Sequence, residues 1–322
     1  MLSIRRPPLP PPLRQRRPPS PPLKHWRYAG VSPKEKRMTI AAGFVNQDGV
    51  LLCADTEQEH GSTKFYSPKI GSFPCAAGMI GFAFAGNSAF SLSAIQKCSD
   101  HLKNISNPDD VVQELEKVLD RQYRKMVYAH PGRLSDWNIP YWLLLCFYAL
   151  GREPSLFVTH ETTMRPVLDF ECVGIGKDLA HYLVSTTYTT SLSEDNTIRL
   201  ASYMMNRVKN YVPGCGGPST FLVIRKNGEV KSVNSQEATQ VDEVAEEFDH
   251  AARALFFAAT DSNLPDSEFE REANAFTSWM MSYRQFWRAQ REWIERYAPS
   301  LSEQSTPGPP IHGPKVLPPS QE

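Results

Sequence analysis

The stretch of the chain that decides its fold reads MTIAAGFVNQDGVLLCADTE over residues 38–57. Two apolar, strand-like runs flank Asp48-Gly49, and this dipeptide between such runs is a strong signal for a β-hairpin. The hairpin begins at Thr39, directly after Met38. If Met38 is removed, Thr39 carries both a hydroxyl nucleophile and a free α-amine, a combination that activates a weak nucleophile.

The charge of the chain is unevenly distributed along its length. Residues 1–37 hold ten Lys or Arg against one Glu, so their net charge is +9, and the total of zero leaves −9 for residues 38–322. A mildly acidic globular part argues against nucleic acid as its main partner. The ten prolines of residues 1–37 exclude a helix there. We expect translation to start at Met38; a removed propeptide and a proline-rich ligand for a partner protein are the alternatives.

Composition divides the chain into four segments. Near the C-terminus, helical periodicity predicts helices at about 239–258 and 267–297, and the second is crowded with aromatic side chains. These helices form either a hairpin docked on the domain or an interface for assembly. The predicted segments are a disordered Pro/Arg-rich segment 1–37, a globular domain 38–235, a helical extension 236–298 and a disordered Pro-rich tail 299–322.

The predicted secondary structure of the globular domain comes in blocks. Four strands precede two helices, followed by three strands, two helices and two strands. Segregated blocks of this kind fit sheets packed face to face with helices outside. The sequence therefore predicts an α+β fold, and not alternating βαβ units.

The six cysteines lack the spacing of a zinc site, so the sequence predicts no metal. Most lie in apolar runs, which is typical of buried free thiols in a reducing compartment. The longest apolar run, 139–150, is too short to span a bilayer. We therefore expect a cytoplasmic protein without a membrane partner.

Four motifs in order resemble those of a known family. They are Thr39–Gly43, Asp48–Thr56, Ser67–Ile70 and Phe84–Ser88. Together they resemble the proteasome β-type subunits, which are N-terminal-nucleophile (Ntn) hydrolases and threonine peptidases. The resemblance runs from about residue 39 to 233. It implies a four-layer αββα sandwich, here with a C-terminal helical extension.

The resemblance also implies a catalytic set. Thr39 would be the nucleophile, with its own α-amine as the general base, and Lys69 would lower the pKa of that amine. Asp55 would orient Lys69, and the backbone N–H of Gly86 would stabilise the oxyanion. The reaction needs no metal and no organic cofactor.

A substrate pocket is implied by the same motifs. Phe84 would form the floor of this pocket, with Ser88 nearby, and a bulky floor favours small or medium side chains. Packing in the core explains Phe84 equally well.

The chain departs from the family pattern on the far side of the site. Ile175 replaces a serine, Val212 replaces an aspartate and Cys215 replaces a second serine that help to hold the terminal threonine. Either another group compensates, with Ser219 and Thr220 as candidates, or the activity is slow or absent.

The leading hypothesis is a threonine-type endopeptidase that cleaves peptides or proteins inside a self-associated ring. An ATP-dependent unfoldase or another regulator would be its partner. One alternative is a catalytically inactive scaffold subunit, which the lost serine and aspartate favour. A third hypothesis is an Ntn amidase that acts on a small amide.

Overall fold

The structure is a computed structural model that describes residues 39–60, 63–128, 141–233 and 235–297. It divides into two compact units, one within His25–Glu247 and another whose described part is Phe248–Tyr297. The predicted segments 1–37 and 299–322 lie outside the described residues. The predicted domain boundary at residues 235–236 stays a prediction.

Most strands of the first unit belong to two antiparallel sheets. The strands in the described ranges are β1 (Ile40–Asn46), β2 (Gly49–Ala54), β3 (Glu57–His60), β4 (Thr63–Tyr66), β5 (Ile70–Cys75), β6 (Gly78–Gly86), β7 (Tyr141–Ala149), β8 (Ser155–His160), β9 (Thr163–Val167), β10 (Phe170–Gly174), β11 (Thr220–Arg225) and β12 (Val230–Ser232). The first sheet has the order β10-β1-β2-β11-β12 and the second has the order β5-β6-β7-β8-β9. Strands β3 and β4 pair only with each other.

Two helices of the first unit, α1 and α4, begin at side chains that cap them. The side chain of Asn87 accepts a hydrogen bond from Phe90 N–H, and that of Ser193 accepts one from Asn196 N–H. Such caps satisfy backbone donors that the first helical turn leaves unpaired. The helices are α1 (Ser88–Leu102), a 3₁₀ turn (Pro108–Asp110), α2 (Val111–Tyr123), a π turn (Arg124–Tyr128), α3 (Lys177–Val184) and α4 (Glu194–Tyr211).

Three clusters of buried apolar residues hold these elements together. One contains residues of both sheets, among them Leu52 and Leu144. A second joins the first sheet to α3 and α4, and a third joins the second sheet to α1 and α2. Along β1, Ile40 and Ala42 belong to the helix-facing cluster whereas Ala41 belongs to the cluster shared by the sheets, as strand alternation requires. The prediction of a fold that mixes helices with sheets is confirmed, and the paired strands of both five-stranded sheets are antiparallel.

Two details of the predicted secondary structure are wrong. The hairpin of β3 and β4 was not predicted, because Glu57-Gln-Glu-His60 has no apolar alternation. The sequence predicts three strands between the two pairs of helices, but the structure has four in the described ranges, because Leu168 and Asp169 separate β9 from β10. Leu168 is 83% exposed, so an apolar residue at a turn was mistaken for a strand residue.

The second unit is helical. Helix α5 spans Ser235–Thr260, beginning in the first unit, and α6 spans Asp266–Tyr297, close to the two predicted helices. The rings of Phe248 and Phe276 lie 6.1 Å apart, and Trp279 is buried against Phe276 and Tyr283. None of the helices in the described part of the chain combines the length and apolar character that a bilayer span requires.

Gly174, at the end of β10, provides a test of how tightly the first residues of β1 are held. Its φ is +101°, and a Cβ atom there would lie 2.2 Å from the carbonyl oxygen of Thr39. Gly174→Ala is expected to cost about 1–2 kcal/mol in backbone strain and a further ~1–3 kcal/mol in overpacking. Urea unfolding measures both.

Gly151→Ala is the matched control, because Gly151 also has a positive φ, +79°, but its Cβ would meet nothing within 4 Å. In Gly151→Ala we expect only the loss of stability that comes from backbone strain, without the loss from overpacking. Equal losses in the two variants would contradict a close approach between Gly174 and Thr39.

Candidate active site

Three strand ends bring the predicted site residues together. Thr39 precedes β1, Asp55 follows β2 and Lys69 precedes β5. Pairing of β1 with β2 places Asp55 beside the start of β1, where its N–H donates to the carbonyl oxygen of Ile40 at 3.1 Å. The hairpin therefore positions the hydroxyl and the carboxylate, and the second sheet supplies the lysine.

The side chains of Thr39, Asp55 and Lys69 form one hydrogen-bonded cluster. Thr39 Oγ1 donates to Asp55 Oδ1 at 2.6 Å, and Lys69 Nζ donates to Thr39 Oγ1 at 2.5 Å. Lys69 Nζ also donates to Asp55 Oδ1 at 2.6 Å and to the carbonyl oxygen of Glu57 at 2.5 Å. An ammonium group has three N–H donors, so this set accounts for all three.

The cluster is removed from solvent. Thr39, Asp55 and Lys69 are exposed by 2%, 0% and 2%, respectively. A buried ion pair is tolerated only where further hydrogen bonds satisfy the charged atoms. Backbone N–H groups do this for Asp55: Ile40 N–H donates to Oδ1 at 3.3 Å and Gly216 N–H donates to Oδ2 at 3.1 Å.

Burial also changes the proton affinity of Lys69. Desolvation disfavours the charged form and lowers the pKa of Lys69 below its ordinary value, although the carboxylate of Asp55 acts in the opposite direction. Desolvation likewise raises the pKa of the neighbouring Cys215 thiol to about 12. Cys215 is therefore a neutral thiol near neutral pH, beside a lysine that releases its proton more readily than an exposed lysine.

Backbone groups support Thr39 where side chains were expected. The N–H of Ile175 donates to the carbonyl oxygen of Thr39 at 3.0 Å, so the residue at the position where the resemblance implied a serine contacts Thr39 through its main chain. Thr220 Oγ1 donates to the carbonyl oxygen of Ala54 at 3.2 Å, whereas Ser219 Oγ is buried without a hydrogen-bond partner in the described part of the chain. Compensation by Ser219 or Thr220 stays a prediction.

Sequence reasoning missed the backbone contacts that two residues make in this site, Gly216 and Glu57. Both act through the backbone, by the N–H of Gly216 and the carbonyl oxygen of Glu57. Main-chain donors and acceptors are present at nearly every residue, so they leave no signal in the residue types. The glycine-rich run 214–217 was the available hint, because it indicates close backbone approach.

The remaining predicted site residues lie along β6 and at its end. Phe84 is fully buried in the cluster formed with α1 and α2, and its N–H donates to the carbonyl oxygen of Lys69 at 3.0 Å. Gly86 ends β6 with a φ of +96°, and Ser88 is the first residue of α1. The oxyanion role of Gly86 and the pocket roles of Phe84 and Ser88 stay predictions.

The donor set at this site is that of an acid–base cluster. One carboxylate, one ammonium group and one hydroxyl meet there. Within the described ranges, no group of three or more His, Cys, Asp or Glu is arranged to hold a metal ion. The cluster can activate a hydroxyl by proton transfer and stabilise its anion by the nearby positive charge.

Comparison with known proteins finds similarity in structure alone. No protein-family model and no curated protein matches the chain. Among solved structures, it is similar to the Anbu (Gly-1) mutant from Hyphomicrobium sp. strain MC1, with 13% identity and a TM-score of 0.58 over 69% of this chain and 100% of that chain. It is also similar to Anbu, described as an ancestral β-subunit, from Yersinia bercovieri, with 12% identity and a TM-score of 0.58 over 67% and 96%.

A third similar structure is the helical assembly of the Anbu complex from Pseudomonas aeruginosa. Its chain is 14% identical, with a TM-score of 0.59 over 71% of this chain and 99% of that chain. At such low identity, the likeness shows the fold alone.

These neighbours correct the family inferred from the motifs. They are Anbu proteins, so the assignment to the proteasome β-type subunits is wrong. The physical reason lies in what the motifs do: Asp48-Gly49 closes a hairpin, and Gly86 ends a strand with a positive φ. The backbone geometry of the fold requires residues of this kind at these positions. Their presence therefore indicates the fold more strongly than it indicates a particular family.

Lys69→Met tests whether the ion pair is as buried as its geometry indicates. The substitution leaves the carboxylate of Asp55 charged and without its ammonium partner. It is expected to lower the free energy of unfolding by about 3–5 kcal/mol. Urea unfolding, followed by circular dichroism, measures the loss.

The control is Lys103→Met, which removes the same charge from an exposed pair with Asp100. An exposed pair contributes only about 0.2–1 kcal/mol. A loss at Lys69 as small as that at Lys103 would show that solvent reaches the site.

Proposed function

We propose that this chain hydrolyses peptide bonds as a threonine-type endopeptidase, with Thr39 as the nucleophile. The observation that carries the proposal is the buried contact of 2.5 Å between Lys69 Nζ and Thr39 Oγ1, next to Asp55. A threonine with a purely structural role rarely has a buried lysine at its hydroxyl. Moving an ammonium ion from water into the protein interior costs on the order of several kcal/mol before its attraction to a partner is counted. An activated nucleophile does need such a neighbour.

In the proposed mechanism, removal of the residues through Met38 frees the α-amine of Thr39. Thr39 Oγ1 attacks the scissile carbonyl carbon, and its proton passes to this amine. The bond from carbon to nitrogen then breaks, and the leaving amine takes the proton. Water attacks the resulting ester with the α-amine again as base, releases the acid and restores the hydroxyl.

Lys69 and Gly86 assist the charged stages of the proposed reaction. The ammonium group of Lys69 stabilises the developing negative charge on Oγ1, while Asp55 holds the ammonium in place. The N–H of Gly86, between β6 and α1, is the proposed oxyanion donor, a kind of contact that contributes about 3–4 kcal/mol.

We also propose the four-layer αββα sandwich of the Ntn hydrolases for the domain 38–235. The three apolar clusters support it, because one lies between the sheets and two lie under helices. The proposal keeps residues 236–298 as a helical extension.

The enzyme is proposed to act in the cytoplasm. The six cysteines are free and five of them are buried, as expected of thiols in a reducing compartment. An ATP-dependent unfoldase or regulator belongs to the proposal as the partner that would deliver protein substrates.

Self-association belongs to the proposal as well. One similar structure is a helical assembly of the Anbu complex. In this chain, the second unit exposes large apolar side chains that suit an interface between copies, among them Phe256, Phe257 and Met281. The assembly, in a ring or a helix, would enclose the site.

The second candidate is an inactive scaffold subunit. One observation favours it: Ile175 supplies only a backbone N–H where a serine hydroxyl was expected. Thr39 therefore has fewer side-chain hydrogen-bond partners than the proposed mechanism would use. Thr39 is also only 2% exposed. The experiment on Thr39 distinguishes the two candidates.

Intact mass and active-site labelling test the nucleophile. The protein purified from cells is expected to begin at Thr39 and to gain the mass of one threonine-directed electrophile, such as a peptide epoxyketone. Thr39→Ala should abolish labelling and peptide cleavage, whereas Thr39→Ser should keep a hydroxyl and an α-amine and retain labelling.

Two results would count against the nucleophile. Retention of residues 1–38 on every chain would leave no α-amine at Thr39 and would overturn the mechanism. A chain that begins at Thr39 but takes up no label would instead establish the scaffold.

Truncation tests the helical extension. Removal of residues 236–322 is expected to reduce the mass of the particle in solution, measured by light scattering after size exclusion, because the exposed apolar surface of α5 and α6 is lost. Removal of residues 299–322 alone is the control and should leave the assembly intact. An unchanged subunit number after the longer deletion would exclude the extension as the interface.

A further inference from the structure

The side chain of Glu57 is a buried carboxylate that the proposed mechanism does not use. It lies in the wall of a cavity of about 550 Å³, which the turn 211–217 also lines. The carboxylate is 7% exposed, and its Oε1 accepts a hydrogen bond from Lys64 Nζ at 2.7 Å. A carboxylate is rarely buried without such a partner, because its removal from water costs free energy. Lys64 therefore stabilises the buried carboxylate in this position.

The main chain of Glu57 closes a ring of hydrogen bonds around the ion pair of Asp55 and Lys69. Its carbonyl oxygen accepts from Lys69 Nζ at 2.5 Å, and its N–H donates to the carbonyl oxygen of Gly216 at 3.1 Å. Gly216 N–H in turn donates to Asp55 Oδ2 at 3.1 Å, and Asp55 Oδ1 accepts from Lys69 Nζ at 2.6 Å. Glu57 is therefore linked to both charged members of the site, to Lys69 directly and to Asp55 through Gly216.

The side chain of Glu57 packs on the turn that contributes to this ring. A Cβ atom on Gly216 would lie 2.3 Å from Glu57 Oε2 and 3.0 Å from its carboxylate carbon. The carboxylate thus fills the space that a side chain of residue 216 would need. Lys64 binds the other oxygen, Oε1. The position of the carboxylate and the position of the turn therefore depend on each other.

The charge of Glu57 also acts on Lys69. Burial lowers the pKa of Lys69, and the negative charges of Asp55 and Glu57 oppose this shift. A third titratable group near Lys69 is the thiol of Cys215, which is neutral near neutral pH because burial raises its pKa to about 12. The freed α-amine of Thr39 would be a fourth. Loss of the charge of Glu57 would therefore favour release of the proton from Lys69.

We propose that the carboxylate of Glu57 is a positioning group of this site. It fixes the turn 214–217 where Gly216 N–H meets Asp55, and it fixes the carbonyl oxygen of Glu57 against Lys69. The catalytic part of this proposal rests on the peptidase activity proposed above. In that reaction, Glu57 keeps Lys69 charged and in contact with Thr39 Oγ1, and it does not touch the substrate.

Glu57→Gln tests the charge during turnover, because glutamine keeps the shape of the side chain. We expect kcat for a quenched fluorescent peptide to fall about tenfold, the effect of weakening one hydrogen bond with a charged group, while KM stays close to that of the wild type. The alkaline limb of the profile of kcat against pH should move to lower pH, because Lys69 loses its proton more readily. An active variant whose alkaline limb does not move would overturn the proposal.

Glu153→Gln is the matched control for this charge. It removes a carboxylate from an exposed pair with Lys226, outside the cavity wall. Neither kcat nor the pH profile should change in this variant. The same shift of the alkaline limb in both variants would show an effect of net charge alone and would overturn the proposal.

Gly216→Ala is a second variant, and it leaves the charge of Glu57 intact. The φ of Gly216 lies outside the left-handed region, so the added methyl group acts by displacing the carboxylate. Alone, it should lower kcat. Added to Glu57→Ala, it should cause little further loss, because the nearest remaining atom of residue 57 would be its Cβ at 3.6 Å. An unchanged kcat in Gly216→Ala, or losses that simply add in the double variant, would overturn the proposal.

Hydrogen exchange tests the positioning without any turnover. Measured by mass spectrometry on the full chain, the amides of residues 214–217 should exchange about tenfold faster in Glu57→Gln than in the wild type, and at the wild-type rate in Glu153→Gln. If the wild-type chain cleaves no peptide but this difference appears, the positioning role stands and the peptidase fails. Equal exchange in Glu57→Gln and the wild type overturns the positioning role, and it leaves the peptidase standing if the wild-type chain cleaves peptides.

Discussion

The structure of this site depends on one buried ion pair, between Asp55 and Lys69. Neither charge is tolerable alone in an apolar interior, so each fixes where the other must lie. Lys69 precedes the first strand of the second sheet, whereas Asp55 ends the central hairpin of the first sheet. Their attraction therefore ties the two sheets together at one end, and Thr39 is held between them by a hydrogen bond to each.

Around this pair, backbone groups provide what side chains were expected to provide. Gly216 N–H, Ile175 N–H and the carbonyl oxygen of Glu57 contact the three members of the cluster. Such groups hold geometry well, since strands and tight turns fix them, but they exchange no protons. The backbone contacts therefore hold Thr39 in place, while the groups of the cluster that can exchange protons belong to Thr39, Asp55 and Lys69.

The likeness to Anbu proteins and the error about proteasome β-type subunits have one cause. Many of the residues that make the motifs recognisable are required by the backbone conformation of the fold. Gly174 is an example, because a side chain there would clash with the carbonyl oxygen of Thr39. Chains that share this conformation meet the same steric limits whatever they catalyse.

The sequence by itself determined the β1–β2 hairpin and a fold that mixes helices with sheets, because apolar periodicity and turn residues are local signals. Asp55 and Lys69 became candidates beside Thr39 through the motif resemblance, and the catalytic roles of the three stay predictions. The sequence did not reveal the β3–β4 hairpin, whose strand Glu57–His60 is polar. Only the tertiary structure decided that Gly216 holds Asp55 and that Lys64 covers Glu57 beside a cavity. These contacts join residues far apart in the chain or are made by main-chain atoms. Neither kind of contact produces a pattern of residue types that can be recognised in the sequence.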